Sequence, residues 1–171
     1  MITAADLEFT EVQVAPLIAV QMLSECAFDP ATIGETMRQA FGEVMAFVTR
    51  HGLRLNGQPR TIYTSYDPKS VSFIVALPIA AHPSAPIDES PIFVGTLPGL
   101  EAYRFSHHGP YPQLAQTYNR ITEFMKEKGY MRSEADWAKY MPMWEEYMND
   151  PEQTPAAEIL THIYLPAKPA V

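Results

Sequence analysis

The chain has 171 residues, a formal net charge of −8 and a single cysteine. This length fits one domain, or two small halves sharing a core, and Cys26 alone excludes an intrachain disulfide. Twelve Lys+Arg against 20 Asp+Glu, with the basic residues scattered, argue against direct nucleic-acid binding. No apolar run reaches the ~18 residues of a membrane span, and the first fifteen residues lack a basic-plus-apolar leader pattern, so a cytoplasmic protein without membrane contact is expected.

Sixteen prolines punctuate the chain but leave residues 31–58 and 113–141 free of proline. A proline inside a helix costs about 3 kcal/mol, so these two windows are where long helices are expected. In chain order, Leu17–Ser24 is an apolar run of strand length. Asp29-Pro30 then offers an N-cap and a first helical residue. Ile33, Met37, Ala40, Phe41, Val44 and Val48 recur at spacings of three and four, the signature of one helical face. Gly52 lies where the helix should end in a left-handed residue. Gly34 and Gly42, inside the helix, are read as positions of tight packing on a sheet. Thr61–Tyr66 and Val71–Leu77 follow as strands joined by a tight turn at Asp67-Pro68, a hairpin.

After a Pro-rich stretch the pattern restarts. Leu100–His107 reads as a strand, and Gly109-Pro110-Tyr111-Pro112 turns the chain into a helix whose apolar face is Leu114, Tyr118, Ile121 and Met125. Gly129 ends that helix. A further connection leads to Met143–Met148, then Asn149-Asp150-Pro151 and a last strand at Ile159–Leu165. Gly52 and Gly129, Asp67-Pro68 and Asp150-Pro151, and Leu77-Pro78 and Leu165-Pro166 fall in the same order in both halves. The spacing grows along the chain, so the second copy carries insertions. We read one domain over residues 1–171, an α+β fold of duplicated β-α-β-β units. The first copy spans 16–80, a Pro-rich connector 81–98, the second copy 99–166 and a tail 167–171. An antiparallel sheet with both main helices on one face is expected, together with a ligand groove between the copies.

The motifs "HHGPY" (His107–Tyr111), "LAQTY" (Leu114–Tyr118), "WEEYMNDP" (Trp144–Pro151) and "LTHIYLP" (Leu160–Pro166), preceded by "RTIYTSYDP" and "VSFIVALP", occur in that order. Together they resemble the GyrI-like small-molecule-binding domain, which is also the effector-binding part of AraC-type and multidrug-sensing regulators. The resemblance implies the duplicated fold and its groove. In the regulators a DNA-binding domain precedes this one. Only about fifteen residues precede the first expected strand here, so the stand-alone form is expected. Members of that kind bind planar or cationic organic compounds, inhibit gyrase by protein contact, or hydrolyse reactive small molecules with a pocket glutamate.

Alternate residues of a strand share a face, so Met143, Glu145 and Tyr147 point one way, and Trp144, Glu146 and Met148 the other. On this pattern alone either glutamate can be the buried one. The family's Glu-x-Tyr pattern falls on Glu145 and Tyr147 and selects Glu145. A carboxylate among apolar groups suits a cationic ligand or a general base. Tyr63, Tyr111, Trp137, Tyr140 and Tyr147 are expected to wall the site, since aromatic faces attract a flat organic cation. The Trp137–Tyr140 stretch lies in an insertion of the second copy and is expected to act as a lid. His107-His108 lacks a third ligand at sensible spacing, and Cys26 lacks a nearby His or Asp, so neither metal nor cofactor is expected. Three functions follow. The first is binding of amphipathic, aromatic or cationic molecules for sensing or sequestration. The second is hydrolysis of small electrophiles with Glu145 as base and Tyr63 or Tyr111 holding an oxygen. The third is a gyrase-inhibitor-like protein contact.

Overall fold

The structure, a computed structural model, describes residues 7–167. Its strands are β1 (Glu8–Val14), β2 (Leu17–Ala27), β3 (Arg60–Tyr66), β4 (Ser70–Ile79), β5 (Ile92–Leu97), β6 (Leu100–His108), β7 (Met143–Tyr147) and β8 (Leu160–Pro166). Its two long helices are α1 (Pro30–Arg50) and α2 (Leu114–Glu127), and short 3-10 helices include Glu134–Tyr140. The chain divides into two compact units. One is Gln13–Leu100, the α1 unit; the other is Met1–Val12 with Glu101–Val171, the α2 unit.

Both units follow the same path. In the α1 unit the strands lie in the order β3-β4-β2-β5, and in the α2 unit β7-β8-β6-β1. The central pairs, β2 with β4 and β6 with β8, are antiparallel, as are β3 with β4 and β7 with β8. Each unit is thus strand, helix, hairpin, and the antiparallel α+β architecture read from the punctuation is the one observed. Two strands were not expected. β1 occupies the acidic N-terminal segment, and β5 lies inside the Pro-rich stretch 81–98, pairing with β2 from Leu17↔Leu97 to Met22↔Ile92.

The start of α1 follows from its cap. Asp29 is extended (φ −140°, ψ 124°), and its carboxylate accepts the Thr32 N–H at 2.9 Å, with Pro30 in the first turn. Such a cap contributes about 1 kcal/mol. Gly52, at φ 60°, takes the left-handed position after the helix. Ala40, Val44, Phe47 and Val48 of α1 bury against Val20 of β2 and Val71, Phe73, Val75 and Leu77 of β4. The alternation on β4 is the period of two that one buried strand face requires. Gly34 and Gly42 do not pack on the sheet. A Cβ added at either meets nothing within 4 Å, because both lie on the outer side of α1.

In the α2 unit, Ile121 and Met125 are fully buried. Phe124 meets Phe105 edge-on at 5.5 Å and Phe9 of β1 at 4.7 Å. Gly129, at φ 76°, ends the helix. This fixes which face of β6, β7 and β8 α2 covers, and so which side chains of β7 meet the helix.

Candidate functional site

Register decides between the two glutamates of β7. Glu145 stands opposite Ile163, and Glu146 opposite His162. Directly opposed residues of antiparallel strands share a face, so Glu145 joins the fully buried Ile163 on the side covered by α2. Glu145 is only 3% exposed. Glu146 points to the other face, where its Oε1 accepts the Tyr164 hydroxyl at 3.2 Å and lies 3.8 Å from His162 Nδ1. Trp144 stacks on Tyr164 on that face, at 4.9 Å and 10°.

A buried carboxylate is costly unless its oxygens are met by donors. Both oxygens of Glu145 are met by tyrosines. Tyr118 of α2 donates to Oε2 at 2.5 Å, and Tyr147, two residues along the same strand face, donates to Oε1 at 2.9 Å.

The tyrosines are themselves held. The Tyr118 ring meets Trp137 edge-on at 5.8 Å. Trp137 donates from Nε1 to Thr122 Oγ1 at 3.0 Å, and Thr122 donates back to the Tyr118 carbonyl at 3.0 Å. On the other side Tyr147 meets Tyr111 at 5.7 Å and 64°. Tyr111 is 36% exposed, so the aromatic series runs from solvent at Tyr111 to the buried Trp137. Burial, then the negative charges of Glu145 and Asp150, push the Tyr111 phenol above its ordinary value. It is therefore a neutral hydroxyl near pH 7, not a phenolate.

Of the residues expected from sequence, the structure brings together Tyr111, Trp137, Glu145 and Tyr147. Tyr118 was missed: read as one apolar position of a helix face, it supplies a hydroxyl to a carboxylate 27 residues away. Tyr140 belongs to another cluster. In the 3-10 helix, residues three apart eclipse, so Trp137 and Tyr140 both turn inward, at 8% and 3% exposure, and do not form a loose lid. The Tyr140 hydroxyl donates to the Tyr130 carbonyl at 2.9 Å, and the Tyr130 ring stacks on Tyr103 at 5.1 Å. Burial and Tyr130 push the Tyr103 phenol up to about 12. Tyr63 lies on β3 of the α1 unit, half-buried, with its ring 6.4 Å from Phe73.

His107 is a strut. A carbonyl only accepts, so Nε2 carries the proton donated to Pro110 O at 3.2 Å, and Nδ1 accepts the Thr117 hydroxyl at 2.6 Å. This ties β6 to the first turn of α2. Among the described residues, no three His, Cys, Asp or Glu side chains gather as a metal ion requires. No helix among them is long and apolar enough to cross a membrane.

The duplicated β-α-β-β fold is one that small-molecule-binding domains share. The chain belongs to one such family: the GyrI-like small molecule binding domain matches it over residues 8–168. Solved structures agree on the fold. The crystal structure of the EcmrR C-terminal domain superposes with a TM-score of 0.73 at 18% identity, covering 96% of this chain and 99% of that one. The chain spans 58% of the longer EcmrR chain seen in a complex with DNA. SAV2435 bound to tetraphenylphosphonium gives a TM-score of 0.62 at 15% identity, with 94% of each chain covered. A hydrolase from Listeria innocua gives 0.55 at 13% identity, covering 93% of this chain and 91% of that one. No curated protein matches the chain.

Proposed function

We propose that the protein binds aromatic organic cations, with Glu145 as the counter-charge and Tyr111, Tyr118, Trp137 and Tyr147 as the surrounding walls. One observation carries this reading: a carboxylate 3% exposed, addressed by two tyrosine hydroxyls and flanked by further aromatic rings. Away from water, attraction between opposite charges is several times stronger than at the surface. A desolvated cation over a Tyr or Trp face gains about 2 kcal/mol more. The cation found on SAV2435 has this chemistry: one positive charge buried in four phenyl rings. Capture without turnover serves sensing or sequestration, in the cytoplasm and without direct contact to nucleic acid or membrane. Hydrolysis and gyrase contact draw no support from these contacts.

Titration with tetraphenylphosphonium and with triphenylphosphine oxide, its neutral near-analogue, tests the reading through quenching of tryptophan fluorescence. The cation is expected to bind at least about tenfold more tightly, a difference of about 1.4 kcal/mol. Equal affinity for the two would overturn the charge-pairing role.

A further inference from the structure

Away from Glu145, the α2 unit holds a concavity of about 190 Å³, bounded by the end of β6, the first two turns of α2 and the start of β1. This volume is below the roughly 300–1,000 Å³ of sites for drug-sized ligands, so the space suits a molecule of amino-acid size or smaller. Its chemistry is also different. Arg120 lines it with the amides of Gln113 and Gln116 and the imidazoles of His107 and His108. The Arg120 Nε atom is fully buried and meets no hydrogen-bond acceptor. Among the described residues no carboxylate is within ion-pairing reach of its guanidinium.

The other charge lining the concavity, Glu8, accepts from His108 Nε2 at 3.1 Å on the same wall. A donor of a charged group shut away from water without an acceptor is costly, and native proteins meet nearly all such groups with a partner. A guanidinium presents its N–H groups as a planar fork, which a carboxylate matches with two parallel hydrogen bonds. Glu8 selects further. It repels a dianion more than a monoanion, and it offers a place for an ammonium group beside the carboxylate. The wall is rigid, because Thr117 and the Pro110 carbonyl hold the His107 ring from both sides.

We propose that this concavity is a second binding site, for a small carboxylate such as an α-amino acid, with Arg120 as the anchor. Gln113 and Gln116 complete the hydrogen bonds around the carboxylate. The site is separate from the aromatic cation site and is addressed by a carboxylate group rather than a cation.

The test uses NMR signals of the His107 and His108 rings, which line the space. Acetate, glycine and inorganic phosphate are titrated against chloride at constant ionic strength, on the full chain. Acetate and glycine are expected to give saturable shifts, with phosphate weaker by about tenfold or more. Arg120→Gln is expected to weaken acetate by at least about tenfold, the size of one lost charge-assisted pair. Arg120→Lys keeps the charge without the fork and is expected to fall between. Should Arg120→Gln fail to fold, as judged by its melting curve, Arg120→Lys and Gln116→Leu carry the comparison. Three results would each overturn the proposal: no saturable shift with acetate or glycine, unchanged affinity in the Arg120 variants, or tighter binding of phosphate.

Discussion

Replacing Tyr118 by Phe removes one hydroxyl and keeps the ring that meets Trp137 at 5.8 Å. The hydroxyl removed is the one that donates to Glu145 Oε2 at 2.5 Å. A hydrogen bond to a charged group contributes about 1.5–3 kcal/mol net. Glu145 is buried, so water does not readily replace the lost donor. The folding equilibrium should fall by roughly 10- to 150-fold, and the melting temperature by about 3–12 °C for a domain of this size. Urea denaturation of wild type, Tyr118→Phe, Glu145→Gln and the double variant separates the charge from the packing. In the Glu145→Gln background the same Phe should cost only the ~1 kcal/mol of a neutral hydrogen bond. The difference is the coupling between hydroxyl and carboxylate. If Tyr118→Phe costs under about 0.5 kcal/mol, or costs as much in the Glu145→Gln background as in wild type, the carboxylate is not held as described.

Two further predictions concern the scaffold. Gly42→Ala should stabilise the protein by about 0.4–1 kcal/mol, since the helical site is open on its outer side and alanine restricts the unfolded chain; a loss of stability in thermal melts would mean that the position is packed after all. Burial holds the imidazoles of His107 and His162 below the ordinary histidine value, with neighbouring positive charges acting in the same direction. The unfolded chain therefore binds more protons than the fold as pH drops below about 6.5, so their contribution is complete above that pH and is lost on acidification. Melting temperature should fall between pH 7 and pH 5, and His107→Gln should make that fall shallower; an unchanged slope would remove His107 from the cause.

How much of this was legible depends on where the information lies. α1 was readable because its signals are local: Asp29-Pro30 at the start, Gly52 at the end, and apolar residues spaced for one face. The two copies were readable because Asp-Pro and Leu-Pro punctuate both hairpins. β5 was not, since prolines crowd its approach, Gly95 interrupts it, and its partner β2 lies about 75 residues earlier. The strand period placed Glu145 and Tyr147 together but left Glu145 and Glu146 equivalent; the family's Glu-x-Tyr pattern chose Glu145, and β8 sets Ile163 opposite it and His162 opposite Glu146. Tyr118 and Tyr140 show the same limit. Helical spacing marks a side chain as inward-facing but does not say which group its hydroxyl will reach, Glu145 in one case and the Tyr130 carbonyl in the other.

The central claim is that Glu145 supplies the charge that holds the ligand. Calorimetric titration of tetraphenylphosphonium into wild type and Glu145→Gln tests it most directly, with triphenylphosphine oxide as the neutral control. The substitution is predicted to weaken the cation by at least about tenfold and to change the neutral control by less than about threefold. Unchanged affinity for the cation, or an equal loss for both ligands, would contradict it.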